Sequence, residues 1–174
     1  MTTYTSKTAY LALCALFTAI TCICALITVP LGFTPVPVNL GVIGMFLCGG
    51  LLGKKYGTIS MCVYVFMGAV GVPVFAGFKA GIGVLAGPTG GYIVAYIIGA
   101  FIIGLLIEKL GCILSLIIGL IICYVTGTLW FVLSTGCSAA TAITSCVLPF
   151  AALDAIKIFV ASLLIKRLRP FLYK

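Results

Sequence analysis

The feature that most limits the fold is a run from residue 8 to residue 53 that contains no charged side chain. A helix needs about 20 apolar residues to cross a bilayer, so this run is long enough for two spans. Prolines and a glycine interrupt it between residues 30 and 37. Proline lacks an N–H donor and disfavours helix in the residue before it. We therefore expect two membrane helices, at about residues 8–29 and 39–52.

The rest of the chain is equally apolar. Of the 174 residues, 64% are hydrophobic and only 7% are charged. Four further apolar segments follow, at about residues 57–72, 88–107, 113–133 and 147–165. The sequence thus predicts an all-α integral membrane protein with six transmembrane helices in one compact bundle, in which residues 1–174 form a single transmembrane domain.

Between residues 71 and 91 the chain is rich in glycine and proline and is still apolar. Irregular backbone near a membrane is tolerated where it packs on protein or lines a cavity. We expect an external capping loop between the third and fourth helices, and we place Pro88 in the first turn of the fourth.

The basic residues predict the orientation, since Lys and Arg favour the cytoplasmic side of a membrane. With a cytoplasmic N-terminus, the outside carries only Lys79. The cytoplasmic side then carries eight basic residues, which are Lys7, Lys54, Lys55, Lys109, Lys166, Arg167, Arg169 and Lys174. We therefore expect a multi-pass protein of the plasma membrane with both termini in the cytoplasm. The net charge of +8 reflects this topology, and the basic residues form no stripe suited to nucleic acid.

Asp154 and Lys157 lie inside the last apolar segment. A charge near the middle of a membrane helix costs about 2.5–3.5 kcal/mol on insertion scales, so such residues usually face a partner or a cavity. A spacing of three places both side chains on one face of a helix. They can neutralise each other as a structural ion pair, or they can share a ligand.

Two further polar residues can converge with this pair on an external pocket for a small ligand. Asn39 begins the second helix, where its amide either binds a ligand or only caps the helix. Lys79 lies in the glycine-rich loop and can meet a carboxylate at the mouth. Aromatic residues are available for apolar walls, although a single large ring in a membrane bundle more often serves packing or the interface: Phe75, Phe78, Tyr92 and Trp130. Of these we expect Tyr92 to bind substrate together with Asn39, Lys79, Asp154 and Lys157.

Other chemistries have little support in the sequence. There is no His, no Gly-x-Ser-x-Gly and no Walker A motif, so we expect neither an enzyme nor a metal or cofactor site, and any use of ATP must come from a partner. Cys137 and Cys146 flank a polar stretch and can form a disulfide. A channel or an ion-coupled secondary transporter, with Asp154 as the proton or cation site, remains an alternative.

Five motifs stand out along the chain: Phe33-Thr-Pro-Val-Pro-Val-Asn39, Leu52-Gly-Lys-Lys-Tyr-Gly57, Gly71-Val-Pro-Val-Phe-Ala-Gly-Phe78, Gly87-Pro-Thr-Gly-Gly-Tyr92 and Asp154-x-x-Lys157. Together they resemble those of the BioY family, the biotin-specific substrate-binding subunits of energy-coupling factor transporters. The resemblance implies a six-helix subunit that binds biotin externally. It also implies docking on a transmembrane coupling subunit that is driven by two ATPase subunits.

The same resemblance implies roles for individual residues. Asn39, Asp154 and Lys157 would bind the ureido head of biotin, and the carboxylate tail would lie toward Lys79. Small residues on the first helix form the docking surface in that family, and Ala15 and Ala19 match this pattern, which also has a plain helix-packing explanation. Because a fold does not determine its ligand, another vitamin remains an alternative.

Overall fold

The computed structural model describes residues 7–32, 34 and 36–172. Phe33 and Pro35 of the first motif, and Lys174 of the basic set, lie outside these residues. Short strands β1 and β2 cover Thr28–Val29 and Val38–Asn39. The helices of the described chain are α1 Lys7–Leu26, α2 Gly41–Ala69, α3 Ile82–Ala86, α4 Gly90–Leu110, α5 Cys112–Thr135, α6 Ala139–Cys146 and α7 Leu148–Leu172.

Helix α2 consists of two segments that fold back on each other at Gly53. Gly53 has φ 72° and ψ −177°, a backbone conformation that favours glycine. Cys48 Sγ and Ser60 Oγ are 3.4 Å apart, whereas twelve residues of straight helix would separate them by about 18 Å. The reversal lies where the sequence predicts a turn between the second and third apolar segments.

Within the described residues, α1, α4, α5 and α7 are long and apolar enough to cross a membrane. The protein is therefore a multi-pass, mostly helical membrane protein. Fully buried side chains from four helices meet in its core, with Phe46 from α2, Ile103 from α4, Leu116 from α5 and Ile165 from α7. Helix α1 packs on α2, and α4 lies between α2 and α5.

The prediction that Pro88 belongs to the first turn of the fourth helix is wrong. Helix α4 begins at Gly90, whose N–H donates to the carbonyl of Gly87 at 3.0 Å. A β-carbon at Gly90 would overlap the main chain of Leu85 in α3. Because α3 approaches so closely, the chain makes a tight turn at Pro88, and α4 begins two residues later.

The glycine-rich segment packs on the bundle. Phe75 N–H donates to the carbonyl of Lys79 at 3.0 Å, which closes a small turn, and the Phe75 ring is only 1% exposed. Tyr64 donates its hydroxyl to the carbonyl of Val74, and Trp130 Nε1 donates to that of Gly87 at 3.0 Å. The loop is thus held on α2 at one end and on α5 at the other.

The Ser/Thr-rich stretch before the last long helix contains α6, which the sequence did not predict. Ser138 caps this helix, since its Oγ accepts a hydrogen bond from the Thr141 N–H at 3.2 Å. Cys146 ends α6 and is buried, and both Cys146 and Cys137 are free thiols. The two cysteines do not form a disulfide in this structure.

Candidate functional site

Asp154 and Lys157 form a buried ion pair on α7. Lys157 Nζ lies 2.7 Å from Asp154 Oδ1, and the two residues are 6% and 2% exposed, respectively. Burial of two charges is costly unless the remaining donors and acceptors are also satisfied. Their other partners therefore determine what the pair can do.

Lys157 also contacts the loop that precedes α2. Its Nζ donates to the main-chain carbonyl of Asn39 at 2.8 Å. Asn39 is held in place by antiparallel pairing of β2 with β1, in which it lies opposite Thr28. The next residue, Leu40, donates its N–H to the carbonyl of Cys24 near the end of α1. The proline-containing loop thus brings Asn39 to the buried pair.

The Asn39 side chain links two other elements. Its Oδ1 accepts hydrogen bonds from the Gly41 N–H at 2.8 Å and from the Tyr96 hydroxyl at 3.3 Å. The first contact satisfies the N–H of the first residue of α2, but Leu40 occupies the N-cap position and no side chain caps the helix there. Asn39 is only partly buried and lines a cavity. Its two contacts use Oδ1 and leave the amide nitrogen as a potential donor to a ligand.

Tyr124 on α5 completes the surroundings of Asp154. Its hydroxyl donates to Asp154 Oδ2 at 2.5 Å, so each carboxylate oxygen has a hydrogen-bonding partner. The sequence did not predict roles for Tyr124 and Tyr96. The available signal was a phenol in the middle of a long apolar helix, because a buried tyrosine hydroxyl usually has a polar partner.

A cavity opens beside this cluster. Its polar residues include Asn39, Tyr96, Tyr124, Asp154 and Lys157, and its apolar walls include Val36, Pro37, Leu120 and Phe150. A mostly apolar cavity with a few convergent polar groups is typical of small-molecule sites. The cluster offers a carboxylate acceptor, an ammonium donor and phenolic hydroxyls at one end of the cavity.

Lys79 lines a second cavity. The two cavities share several wall residues, which are Val36, Pro37, Asn39, Tyr92 and Tyr96. Four of the five residues predicted to bind substrate, Asn39, Tyr92, Asp154 and Lys157, therefore line one cavity. The fifth, Lys79, lines its neighbour.

Two of the four candidate aromatic residues line the cavities, and the other two do not. Tyr92 lines both cavities, and its hydroxyl lies 3.0 Å from Thr128 Oγ1. Phe75 lines the second cavity, whereas Phe78 is 69% exposed and lines neither. Trp130 also lines neither, and it holds the glycine-rich loop through Gly87.

Ala15 and Ala19, the two residues predicted to form a docking surface, line neither cavity. Both are exposed on α1, whose buried face consists of other residues such as Cys14, Phe17 and Thr18. The two alanines therefore do not lie in the α1–α2 interface. This removes the plain explanation that they serve packing within the bundle.

Comparison with known proteins gives consistent results. Residues 1–174 match the model of the BioY family. The chain is 46% identical over 159 residues to a protein of Thermotoga maritima described as "Biotin transporter BioY", covering 88% of this chain and 92% of that one. It is 41% identical over 163 residues to a "Probable biotin transporter BioY" of Pyrococcus horikoshii, covering 94% and 98%.

A solved structure has the same fold. The crystal structure of an S-component for biotin from an ECF-type ABC transporter superposes with a TM-score of 0.90 over 100% of both chains, at 30% sequence identity.

Proposed function

The chain belongs to the BioY family, and we propose that it binds biotin and mediates its uptake as the substrate-binding subunit of an energy-coupling factor transporter. The single observation that carries this proposal is the polar cluster of Asn39, Tyr124, Asp154 and Lys157 at one end of an apolar cavity. A cluster of this composition matches the chemistry of a cyclic urea.

The ureido ring of biotin has two N–H donors and one carbonyl acceptor. Asp154 supplies acceptor oxygens for the N–H groups, and Lys157 or the Asn39 amide supplies a donor for the carbonyl. Hydrogen bonds to charged groups contribute about 1.5–3 kcal/mol each. The apolar walls then surround the thioether ring and the aliphatic tail, as expected for a cavity with mostly apolar lining.

The carboxylate of biotin would extend toward Lys79. This arrangement is supported by the shared wall between the two cavities, since a ligand anchored at Asp154 in the first cavity can pass Tyr92 and Tyr96 into the second. Lys79 is a point charge on a flexible side chain, so it can follow a mobile carboxylate.

We further propose a topology of six membrane-crossing segments. They are α1, the two halves of α2 on either side of Gly53, α4, α5 and α7. Both termini and the basic residues Lys54, Lys55 and Lys109 lie in the cytoplasm. The segment between α2 and α4, with Lys79, caps the binding cavity on the outside.

The partners in this proposal are a transmembrane coupling subunit and two ATPase subunits, which supply the energy. Ala15 and Ala19 form the docking surface for the coupling subunit, because exposed small residues allow another helix to approach closely. Residues 1–174 act as one transmembrane substrate-binding domain.

Uptake of radiolabelled biotin by a biotin-requiring bacterial strain without its own biotin transporter tests this function. Expression of the chain with a complete coupling module should restore uptake, and the Asp154→Asn variant should abolish it at low external biotin. Restoration by the variant to the level of the unchanged chain would contradict the proposal.

A further inference from the structure

The end of the bundle opposite the binding cavity carries two adjoining surface grooves. One runs along the first turns of α5, where Gly111, Ile113 and Leu114 line it. The other lies between Glu108 on α4 and the last turns of α7. The grooves share Cys112 and Lys166, so they form one continuous depression between three helices, which we call the α5–α7 groove.

The rim of the α5–α7 groove carries a net positive charge. Lys166 is exposed and lines both parts, and Arg169 lines the part next to Glu108, with which it forms an ion pair. Two basic side chains and one acidic side chain therefore line the groove, and the rim attracts anions.

The wall beneath this rim is apolar. Ile113, Leu114 and Ile117 line the groove and are 48%, 48% and 37% exposed. They belong to the first turns of a helix that is apolar enough to cross a membrane, and the first turns of a crossing helix are among the parts nearest the headgroups. The groove therefore presents positive charge at its rim and hydrocarbon immediately below.

We propose that the α5–α7 groove binds an anionic phospholipid. The phosphate headgroup contacts Lys166 and Arg169, and an acyl chain lies along Ile113, Leu114 and Ile117. Basic pockets between membrane helices bind anionic headgroups, and each Lys or Arg near the surface contributes about 1 kcal/mol. A soluble phosphate would use only the rim, and an uncharged apolar chain would use only the wall.

A zwitterionic lipid fits this groove less well. Its choline group adds a positive charge next to the phosphate, so the net attraction to the basic rim is smaller. Glu108 opposes an anion directly, and Arg169 offsets it by pairing with it. Selectivity for net negative headgroups therefore follows from the charges at the rim.

Native mass spectrometry of the delipidated protein in detergent tests this proposal. Phosphatidylglycerol and phosphatidylcholine with identical acyl chains would be titrated separately. We expect phosphatidylglycerol to bind at least fivefold more tightly, which corresponds to about 1 kcal/mol. Equal affinity for the two lipids would overturn the proposal.

The chain offers a matched control for the headgroup contact. Lys166→Gln and Arg167→Gln remove the same charge from neighbouring exposed positions, but Arg167 lines neither part of the groove. Lys166→Gln should weaken phosphatidylglycerol binding about fivefold, and Arg167→Gln should change it by less than about twofold. Equal losses of phosphatidylglycerol affinity in both variants would mean that binding depends only on overall surface charge, and would overturn the proposal of a specific site.

A second comparison tests the acyl chain. Leu114→Gln leaves every charge in place and should also weaken phosphatidylglycerol binding, while inorganic phosphate should not displace the lipid. Displacement by inorganic phosphate, or unchanged binding in Leu114→Gln, would contradict a lipid site. Biotin binding by each variant, which we expect to remain unchanged, verifies that it is folded.

Discussion

Lys157 on α7 donates a hydrogen bond to the main-chain carbonyl of Asn39, with 2.8 Å between Nζ and the oxygen. The same ammonium lies 2.7 Å from Asp154 Oδ1. One side chain thus joins the loop before α2 to the acidic residue of the last long helix. A ligand carbonyl that binds Lys157 would do so at the junction between these two elements.

The first prediction separates ligand binding by Asp154 and Lys157 from a purely structural ion pair. Asp154→Asn and Lys157→Met should each weaken biotin binding at least tenfold, about 1.4 kcal/mol, because each removes a hydrogen bond to the ureido group. Combining the two changes should weaken binding further. Isothermal titration of biotin into each purified variant measures these effects.

The unliganded melting temperature completes this test. Each single change leaves a buried charge without its partner and should lower the melting temperature, whereas the double change removes both charges and should recover most of it. A double variant that recovers stability and also binds biotin like the unchanged chain would show that the pair is only structural.

The second prediction concerns Tyr124, which touches Asp154 Oδ2. Tyr124→Phe keeps the ring and removes the hydroxyl, so a buried carboxylate oxygen loses its partner at a cost of about 1–3 kcal/mol. We expect a lower melting temperature without ligand and a biotin affinity reduced by roughly fivefold or more. Tyr56→Phe is the control, because Tyr56 stacks on Tyr10 away from the cavity. Equal effects of the two changes would refute a specific role for Tyr124.

The third prediction concerns Lys79 and the ligand's carboxylate. Lys79→Gln should weaken binding of biotin several-fold but should leave binding of biotin amide nearly unchanged, because the amide has no charge for Lys79 to meet. Lys109→Gln, at the opposite end of the bundle, serves as the control. If Lys79→Gln weakened binding of biotin and of biotin amide equally, Lys79 would stabilise the loop and would not bind the carboxylate.

The fourth prediction tests docking through α1. Ala15→Trp or Ala19→Trp should abolish association with the coupling subunit and uptake, while biotin binding by the isolated chain stays nearly intact, since both alanines are exposed. Leu129→Trp places the same bulky ring at a position on α5 that is 59% exposed, and it should leave association unchanged. Co-purification measures association. Loss of biotin binding in the alanine variants would mean that they disturb the bundle.

The fifth prediction is the topology. In a background without native cysteines, a cysteine at residue 79 should react with a membrane-impermeant maleimide in intact cells, and cysteines at residues 54 and 109 should react only after permeabilisation. Labelling of residue 54 in intact cells would show that the chain has the opposite orientation.

Part of the site could be predicted because charge inside a membrane helix is rare. Asp154 and Lys157 stand out in an apolar segment, and a spacing of three places them on one helix face. Tyr124 and Tyr96 could not be found in this way, because tyrosine is common in membrane proteins and its spacing does not indicate where its hydroxyl points. Their partners are distant in the chain and depend on how α4 and α5 pack.

Some features of the fold could likewise be predicted from the sequence, and others could not. The reversal at Gly53 could be predicted because Lys54 and Lys55 follow it and charges seldom lie inside a span. The β1–β2 pairing could not, since two-residue strands carry no periodic pattern, yet this pairing places Asn39 in the site. Helix α6 was missed because its serines and threonines are equally typical of loops and caps.

Equilibrium binding by the purified chain in detergent is the sharpest test of biotin recognition. Biotin, riboflavin, thiamine and folate would each be titrated by calorimetry under identical conditions. We expect tight binding of biotin at one site per chain and poor binding of the other three, because a wrong ligand leaves Asp154 or Lys157 without its hydrogen bonds. Comparable affinity for any of the other three vitamins would contradict it.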